Sequence, residues 1–331
     1  MIDPKGGQPD AWPRITIITP TRNAADYVAT AIESVQRQRY PNLEHIVLDN
    51  RSSDDTLARI ARFPGLRVIS EPDRGSHDAM NKGIGLASGE ILGFLNADDI
   101  YSDDLLREVG RILTDDLSID VVVARTIVFE EDRQRRRKLL VARDHDRNEG
   151  FWLPELTFGA PGFNGRFFRR RVFERIGYFS DDYDISADRH FLLRAALAGL
   201  KARHAGGNVG LCYRSHAGSA TLNPQRRQSY AIGREHIRMA EEFSRAQQAN
   251  LKQLRIFRAW YVFESVKFVL RGTAAGRLSE TTRVLGRLAM REPLWPLLLL
   301  RGFILRRAVR RGEIQSKGFV LPADKKPHAP S

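Results

Sequence analysis

The sequence predicts an α/β fold, a mostly parallel sheet with flanking helices and a helical appendage behind it, and three observations carry that expectation. Over the first 125 residues, short β-rich apolar runs alternate with amphipathic stretches, the signature of βαβ units. Polar residues gather immediately after those runs. Beyond about residue 222 the pattern becomes helical and basic.

The predicted strands lie at 15–19, 45–49, 66–70, 91–95 and 121–125. After the first, Tyr27, Val28, Ala31, Ile32 and Val35 recur at helical spacing, and Pro41 stands beyond them as a stop. Ser52 and Ser53 before Asp54 and Asp55 read as a helix cap with negative charge in the first turn, and 102–104 starts another helix in the same way. From 130 to 148 charge dominates, with the run RQRRRK, and a solvated loop or hairpin is expected. The Asp144-His145-Asp146 triplet inside it reads as surface more readily than as a metal site. The expected division is a loose arm at 1–13, a catalytic domain at 14–221, a basic amphipathic helical appendage at 222–318 and a loose tail at 319–331.

Composition narrows the function classes. The chain has 331 residues, 42% hydrophobic and 28% charged, with a formal net charge of +13. That balance favours phosphate-bearing partners: a nucleotide diphosphate, anionic lipid headgroups or nucleic acid. No nucleic-acid module with interleaved basic and aromatic residues is visible, so nucleic acid is not expected. Cys212 is the only cysteine, which excludes an intramolecular disulfide or a cysteine zinc site and fits a reducing, cytoplasmic setting. The N-terminal stretch lacks a signal-peptide pattern, and the longest apolar run falls far short of the roughly 20 residues that span a bilayer.

In a parallel α/β sheet, ligands bind outside the carboxyl ends of the strands. Here those ends read Thr19-Pro20-Thr21-Arg22-Asn23, Asp49-Asn50-Arg51-Ser52-Ser53-Asp54, Glu71-Pro72-Asp73-Arg74-Gly75 and Asn96-Ala97-Asp98-Asp99. Each alone fits a turn or cap. Four together point to one binding crevice. A nucleotide diphosphate needs its phosphates neutralised, and a hard cation held by one or two carboxylates does this, a task that suits Asn96-x-Asp98-Asp99. Gly83-x-Gly85 with Gly89 lacks the third glycine of a dinucleotide fingerprint at the required spacing, and it precedes a strand instead of opening a helix.

The motifs ITIITPTRN, IVLDNRSSDDT, EPDRGSHDAMNKGI, GEILGFLNADD and RIGYFSDDYDISADRHFLLR, covering roughly residues 14–220, resemble those of family 2 glycosyltransferases with the GT-A, Rossmann-type fold. The resemblance implies a nucleotide diphosphate-sugar donor and Mg²⁺ or Mn²⁺. It implies that Thr19, Pro20, Thr21 and Asn23 form the first nucleotide-contacting loop and that Asp49 reads the base. Asp73, Asp78, Asn81 and Lys82 border the donor site, with Lys82 facing either a phosphate or solvent. Asp98 matches the last acid of the Asp-x-Asp metal motif, with Asn96 in place of its first acid and Asp99 beside it.

The resemblance also implies that Asp188 is the general base of an inverting transfer, in a place where the family often has Glu-Asp and this chain has Ala187-Asp188. Phe191, Leu192, Ala195 and Ala196 give the helix after it an apolar face, Gly199 ends it, and three glycines at 159–165 precede it as an acceptor-side loop. His216 either completes the divalent site or is a loop histidine. The family's bacterial setting implies an acceptor glycan or lipid-linked sugar in surface polysaccharide or glycolipid assembly, and no processive Gln-x-x-Arg-Trp signature is present. The rival is a catalytically silent nucleotide-binding scaffold, because Asn96 and Ala187 both replace acids. Two C-terminal segments mix apolar residues with cations: Ile256, Trp260, Val262, Phe263, Val266, Phe268 and Val269, and then Trp295 to Ile304 leading into Arg306, Arg307, Arg310 and Arg311. Both are expected to dock on an anionic membrane surface, the inner face of the plasma membrane, or else to pack against the catalytic domain or a second subunit with the arginines facing water.

Overall fold

The computed structural model describes residues 12–131, 137–143, 151–206, 210–216, 230–310 and 313–314. Strand β1 (Ile15–Thr21) is central. It pairs in parallel with β2 (Leu43–Asp49) on one side and β4 (Ile91–Phe94) on the other, and β2 pairs in parallel with β3 (Leu66–Ser70). All seven residues of β1 are buried, as befits a strand covered on both faces. Beyond β4 the sheet continues through β9 (Arg166–Arg169), β6 (Val121–Val123) and β10 (Ala202–His204), giving the order β10-β6-β9-β4-β1-β2-β3. Strand β9 runs antiparallel to both neighbours. Its four residues, two arginines around two phenylalanines, are too short to show a period.

A second sheet contains β5 (Ile100–Tyr101), β7 (Thr126–Glu131), β8 (Arg137–Arg143), β11 (Leu211–Ser215) and β12 (Glu313–Ile314), in the order β12-β8-β7-β11-β5. The charged stretch after residue 130 therefore belongs to a hairpin, β7 antiparallel to β8, and β7 also pairs in parallel with β11. Ile127, Val128 and Phe129 are buried there and hold the hairpin down. The triplet at 144–146 lies outside the described residues.

Helices α1 (Val28–Gln36), α2 (Thr56–Ile60), α3 (Ser76–Leu86), α4 (Leu105–Asp115), α5 (Leu153–Phe158), α6 (Arg170–Ile176) and α7 (Ala187–Leu197) connect or cover the sheets. Helix α1 buries Val28, Ala31, Ile32 and Val35. Helix α3 lies so close to the sheet that a Cβ on Gly83 would stand 2.5 Å from Ile18 Cγ2. The expected serine caps are different: α2 begins after Asp55 with no side-chain cap, Asp54 Oδ1 accepts from Thr56 N–H at 3.0 Å, Ser52 Oγ donates to Asp49 and accepts from Asn23 N–H, and Ser53 N–H donates to Asn23. Helix α4 likewise starts after Asp104, in the left-handed region at φ 63°, without a side-chain cap.

Among the described residues four further helices follow: α8 (Tyr230–Phe243), α9 (Leu251–Ala274), α10 (Leu278–Arg291) and α11 (Trp295–Arg310). One core cluster runs from Ile18 and Phe94 in the sheet to Phe257 and Trp260 on α9. This corrects the expectation for the first C-terminal segment. Ile256, Trp260, Val262, Phe263 and Phe268 are buried, because α9 is the central helix against which α8, α10, α11 and α5 pack. Helix α11 differs. Gly302 lets it approach Phe263, while Leu297, Leu300, Phe303 and Ile304 keep 65%, 59%, 56% and 60% of their surface exposed. Among the described residues no helix is long and apolar enough to cross a membrane.

Candidate active site

Parallel pairing of β4, β1, β2 and β3 puts their carboxyl ends on one edge of the sheet, with Thr21 opposite Asp49 and Asp49 opposite Ser70. The loops on this edge are laced together by short polar contacts. Asn23, at φ 49°, accepts at Oδ1 from Ser53 N–H at 2.9 Å and donates its own N–H to Ser52 Oγ at 2.8 Å. Asp49 is buried, and its carboxylate accepts from Ser52 Oγ at 2.5 Å, Ser52 N–H at 3.1 Å and Ser70 Oγ at 2.6 Å. Asn50, which sequence reasoning did not single out, donates to Asp73 Oδ1 at 2.6 Å and accepts from Asp73 N–H at 3.2 Å. Burial raises the Asp73 carboxyl above its ordinary range, although the Gly75 N–H and the Lys82 charge pull it down.

Pro20 is buried within β1. The Thr19 side chain turns into the sheet, where Oγ1 lies 2.9 Å from His45 Nε2. Burial pushes the His45 imidazole down to about 4, which leaves it neutral at physiological pH. Thr21 is also buried. These residues therefore shape the floor of the edge. Asp78 and Lys82 join a cluster at the start of α3: Asp78 accepts from Arg74 at 2.9 Å, and Lys82 pairs with Glu71 at 2.9 Å and donates to the Pro72 carbonyl at 2.7 Å. Burial tends to raise the Asp78 carboxyl, but the bonds from Arg74 prevail and hold it below its ordinary value. Asn81 faces elsewhere. It exchanges two 3.0 Å hydrogen bonds with the backbone of Phe179 and so fastens α3 to the segment before α7.

Past β4 the chain turns, Asp99 N–H donating to the Asn96 carbonyl at 3.1 Å, and the two adjacent aspartates part. Asp98 stays partly exposed, and its Oδ2 lies 2.9 Å from Nε2 of His216, just beyond β11. Asp99 is wholly buried and accepts at Oδ1 from Arg214 N–H at 3.0 Å, tying the turn to β11. Burial and the neighbouring Asp98 charge push the Asp99 carboxyl well above its ordinary range, against the Arg214 N–H and the Asn164 side chain. Arg214 is the residue that sequence reasoning missed. Buried, it donates from Nε to the Asp98 carbonyl at 2.9 Å, pairs with Glu131, and lies over the rings of Tyr27 and Phe129. Tyr27 also packs against His216, ring centroids 4.7 Å apart. The RSH run at 214–216 was the only signal for this corner.

Asp98 and His216 together offer one carboxylate oxygen and one imidazole nitrogen, a donor set that would suit Mn²⁺ better than Mg²⁺, which prefers oxygen ligands throughout. Among the described residues no group of three or more His, Cys, Asp or Glu gathers. Any further ligands would have to come from outside these two side chains.

Asp188 lies in the first turn of α7, half-buried, and its Oδ1 accepts from Arg189 N–H at 2.7 Å. An anion is favoured there by the helix dipole. Phe191, one turn on, belongs to an aromatic cluster with Phe163 and Phe179, each of which also meets Phe94, the last residue of β4. Through that cluster the start of α7 is fastened to the strand that leads into Asn96 and Asp98. Arg189 donates to the carbonyls of Leu156, Thr157 and Gly159, closing the end of α5 and the beginning of the glycine loop. Burial lowers the Arg189 guanidinium, offset by the charges of Asp188 and Glu264.

A mostly parallel central sheet with helices on its faces is the GT-A fold. The TarS 1-349 crystal structure from S. aureus in complex with UDP-GlcNAc has this architecture, with a TM-score of 0.62, 17% identity and 90% of each chain covered. So does the mannosyltransferase PcManGT from Pyrobaculum calidifontis in complex with GDP-Man and Mn2+, with a TM-score of 0.55, 20% identity and coverage of 93% of this chain and 89% of that one. In sequence, Glycosyl transferase family 2 matches residues 16–177. An uncharacterized glycosyltransferase of Mycobacterium tuberculosis is 36% identical over 191 residues, 56% of this chain and 70% of its own. A PGL/p-HBAD biosynthesis glycosyltransferase of Mycobacterium bovis is 32% identical over the same shares of the two chains. The chain belongs to glycosyltransferase family 2.

Proposed function

We propose that the chain transfers one sugar from a nucleotide diphosphate-sugar to an acceptor hydroxyl with inversion. The observation that carries the reading is the pairing of Asp98 with His216 beyond the end of β4; Asp188 stands in the first turn of the helix whose Phe191 joins Phe94 of that strand through Phe163. Residues 14–221 carry this chemistry. Asn23, Asp49 and Asp73 shape the nucleotide side. Asp188 takes the proton from the acceptor hydroxyl as its oxygen bonds to the anomeric carbon, while the bond from that carbon to the phosphate oxygen breaks on the opposite face. The nucleotide diphosphate leaves with the electron pair. Proton removal by such a base contributes roughly 10²–10⁴-fold. A divalent ion at Asp98 and His216, when bound, supplies positive charge for the departing diphosphate.

The relatives support the substrate class. TarS was crystallised with UDP-GlcNAc and the Pyrobaculum enzyme with GDP-Man and Mn2+, and other relatives act in PGL/p-HBAD and succinoglycan biosynthesis. That company supports an acceptor glycan or lipid-linked sugar. The last helix, α11, then has a use: its stripe Leu297, Leu300, Phe303 and Ile304 docks on an anionic bilayer surface, with Arg307 and Arg310 exposed at its end. Buried apolar area and about 1 kcal/mol per nearby cation would hold it there. The intact chain should sediment with anionic vesicles at low salt and much less with neutral ones; a monomer that ignores both removes the docking reading.

The test of the main reading is incubation of the protein with a panel of UDP- and GDP-sugars, with Mg²⁺, Mn²⁺ or chelator, followed by mass spectrometry. Release of nucleoside diphosphate that chelator abolishes is expected. The silent-scaffold alternative rests on Asn96 and Ala187 standing where the family resemblance implies acids. Donor binding without turnover for any acceptor or water would favour it.

A further inference from the structure

The N-terminus of α7 has no cap of its own. Its N-cap residue, Ser186, makes no side-chain cap bond, and a carboxylate from α8 instead holds the backbone that leads into the helix. Glu235 Oε1 accepts from the N–H groups of Asp184 at 2.9 Å and Ile185 at 3.2 Å, and Oε2 accepts from Ser186 N–H at 2.9 Å. One carboxylate thus holds three consecutive backbone donors that end two residues before Asp188. Two turns along the same face of α8, Glu242 accepts from Tyr183 Oη at 2.7 Å and lies 3.1 Å from His190 Nε2, just beyond Asp188. Helix α8 grips the chain on both sides of that aspartate, and it is itself anchored by Met239, Ala240 and Phe243 in the core.

Resting on the reading of Asp188 as general base, we infer that Glu235 is a positioning residue: by holding the backbone of 184–186 it sets the entry angle of α7 and thereby where the Asp188 carboxylate meets the acceptor. A carboxylate that accepts three backbone N–H bonds is a strong local constraint. Its loss frees the loop into α7 while leaving the donor edge, built from β1 to β4, in place. A displacement of about 1 Å at a reacting group costs on the order of 10²-fold.

The experiment compares Glu235→Ala, Asp188→Asn and the double variant in the intact chain, using whichever nucleotide sugar of the panel turns over, and calorimetry with UDP and GDP. Glu235→Ala is expected to lower kcat by roughly 10-fold or more, to leave nucleoside diphosphate affinity and the donor KM unchanged, and to add almost nothing in the Asp188→Asn background. Non-additivity of that kind marks two residues acting as a unit. A purely structural role would lower the melting temperature and leave kcat of the folded protein alone. Unchanged kcat, or a loss that multiplies in full with that of Asp188→Asn, overturns the proposal. Near-normal turnover by Asp188→Asn alone overturns the general-base reading first, and is read from that variant without reference to Glu235. Should Glu235→Ala fail to fold, Glu235→Gln keeps one acceptor oxygen and the side-chain length; folded and with full kcat, it overturns the proposal equally.

Discussion

The two sides of the proposed site are built on opposite plans. On the nucleotide side, the loops after β1, β2 and β3 satisfy one another: Asn23 with Ser52 and Ser53, Asp49 with Ser52 and Ser70, Asn50 with Asp73. On the reacting side, Asp98 and Asp188 keep part of their surface open, and the residues around them hold their backbones more than their carboxylates. Arg214 takes the carbonyl of Asp98, and the aromatic cluster takes the helix of Asp188. A self-satisfied loop presents a fixed shape to a ligand. An open carboxylate keeps its lone pairs for a cation or a proton.

If that contrast is right, substitutions on the reacting side should change turnover and those on the nucleotide side should change stability and affinity. The largest effect is expected from Asp188→Asn, which keeps the shape and removes the base: kcat should fall by roughly 10²-fold or more with donor affinity unmoved, checked by steady-state kinetics and calorimetry. Near-normal transfer would return Asp188 to an acid that merely suits a helix start.

Next comes Asp98→Ala, which should weaken metal-dependent donor binding by more than the roughly 10- to 100-fold that the loss of an outer partner costs a metal site. Calorimetry in Mn²⁺ and in chelator reads this directly. Equal binding by the wild-type chain under both conditions would erase the difference between the two sides.

Asp49→Asn tests the nucleotide side. An amide must turn its NH₂ toward at least one of the three donors now bonded to the carboxylate, at a cost of about 1–3 kcal/mol, seen in denaturant unfolding, with affinity for UDP and GDP falling alongside. A variant as stable as the parent would mean that these loops are held by something else. The smallest effect is expected from Asn23→Gly, which tolerates φ 49° but loses the acceptor for Ser53 N–H. About 1 kcal/mol of stability and a modest loss of donor affinity should follow, with kcat unchanged.

The strand-end acids were legible because their signal is local. An apolar run followed by turn-forming polar residues places a side chain at the carboxyl edge of a parallel sheet wherever that sheet sits, so Asp49, Asp73 and Asp98 were found by position. Which way each side chain points was not legible. Asp98 and Asp99 are neighbours in one turn, yet one meets His216 and the other is buried beneath Arg214.

Similarity of composition misled where burial decides. Helices α9 and α11 both mix aliphatic, aromatic and cationic residues, yet α9 is enclosed by four helices and α11 leaves a stripe of large apolar side chains exposed. By itself the sequence determined the βαβ order, the strand-end acids and the family, since periodicity and turn chemistry act over a few residues. Only the tertiary structure decided that His216 reaches Asp98, that Glu235 holds the backbone leading into α7 and that α9 lies inside, because each depends on a partner dozens of residues away that no local pattern specifies.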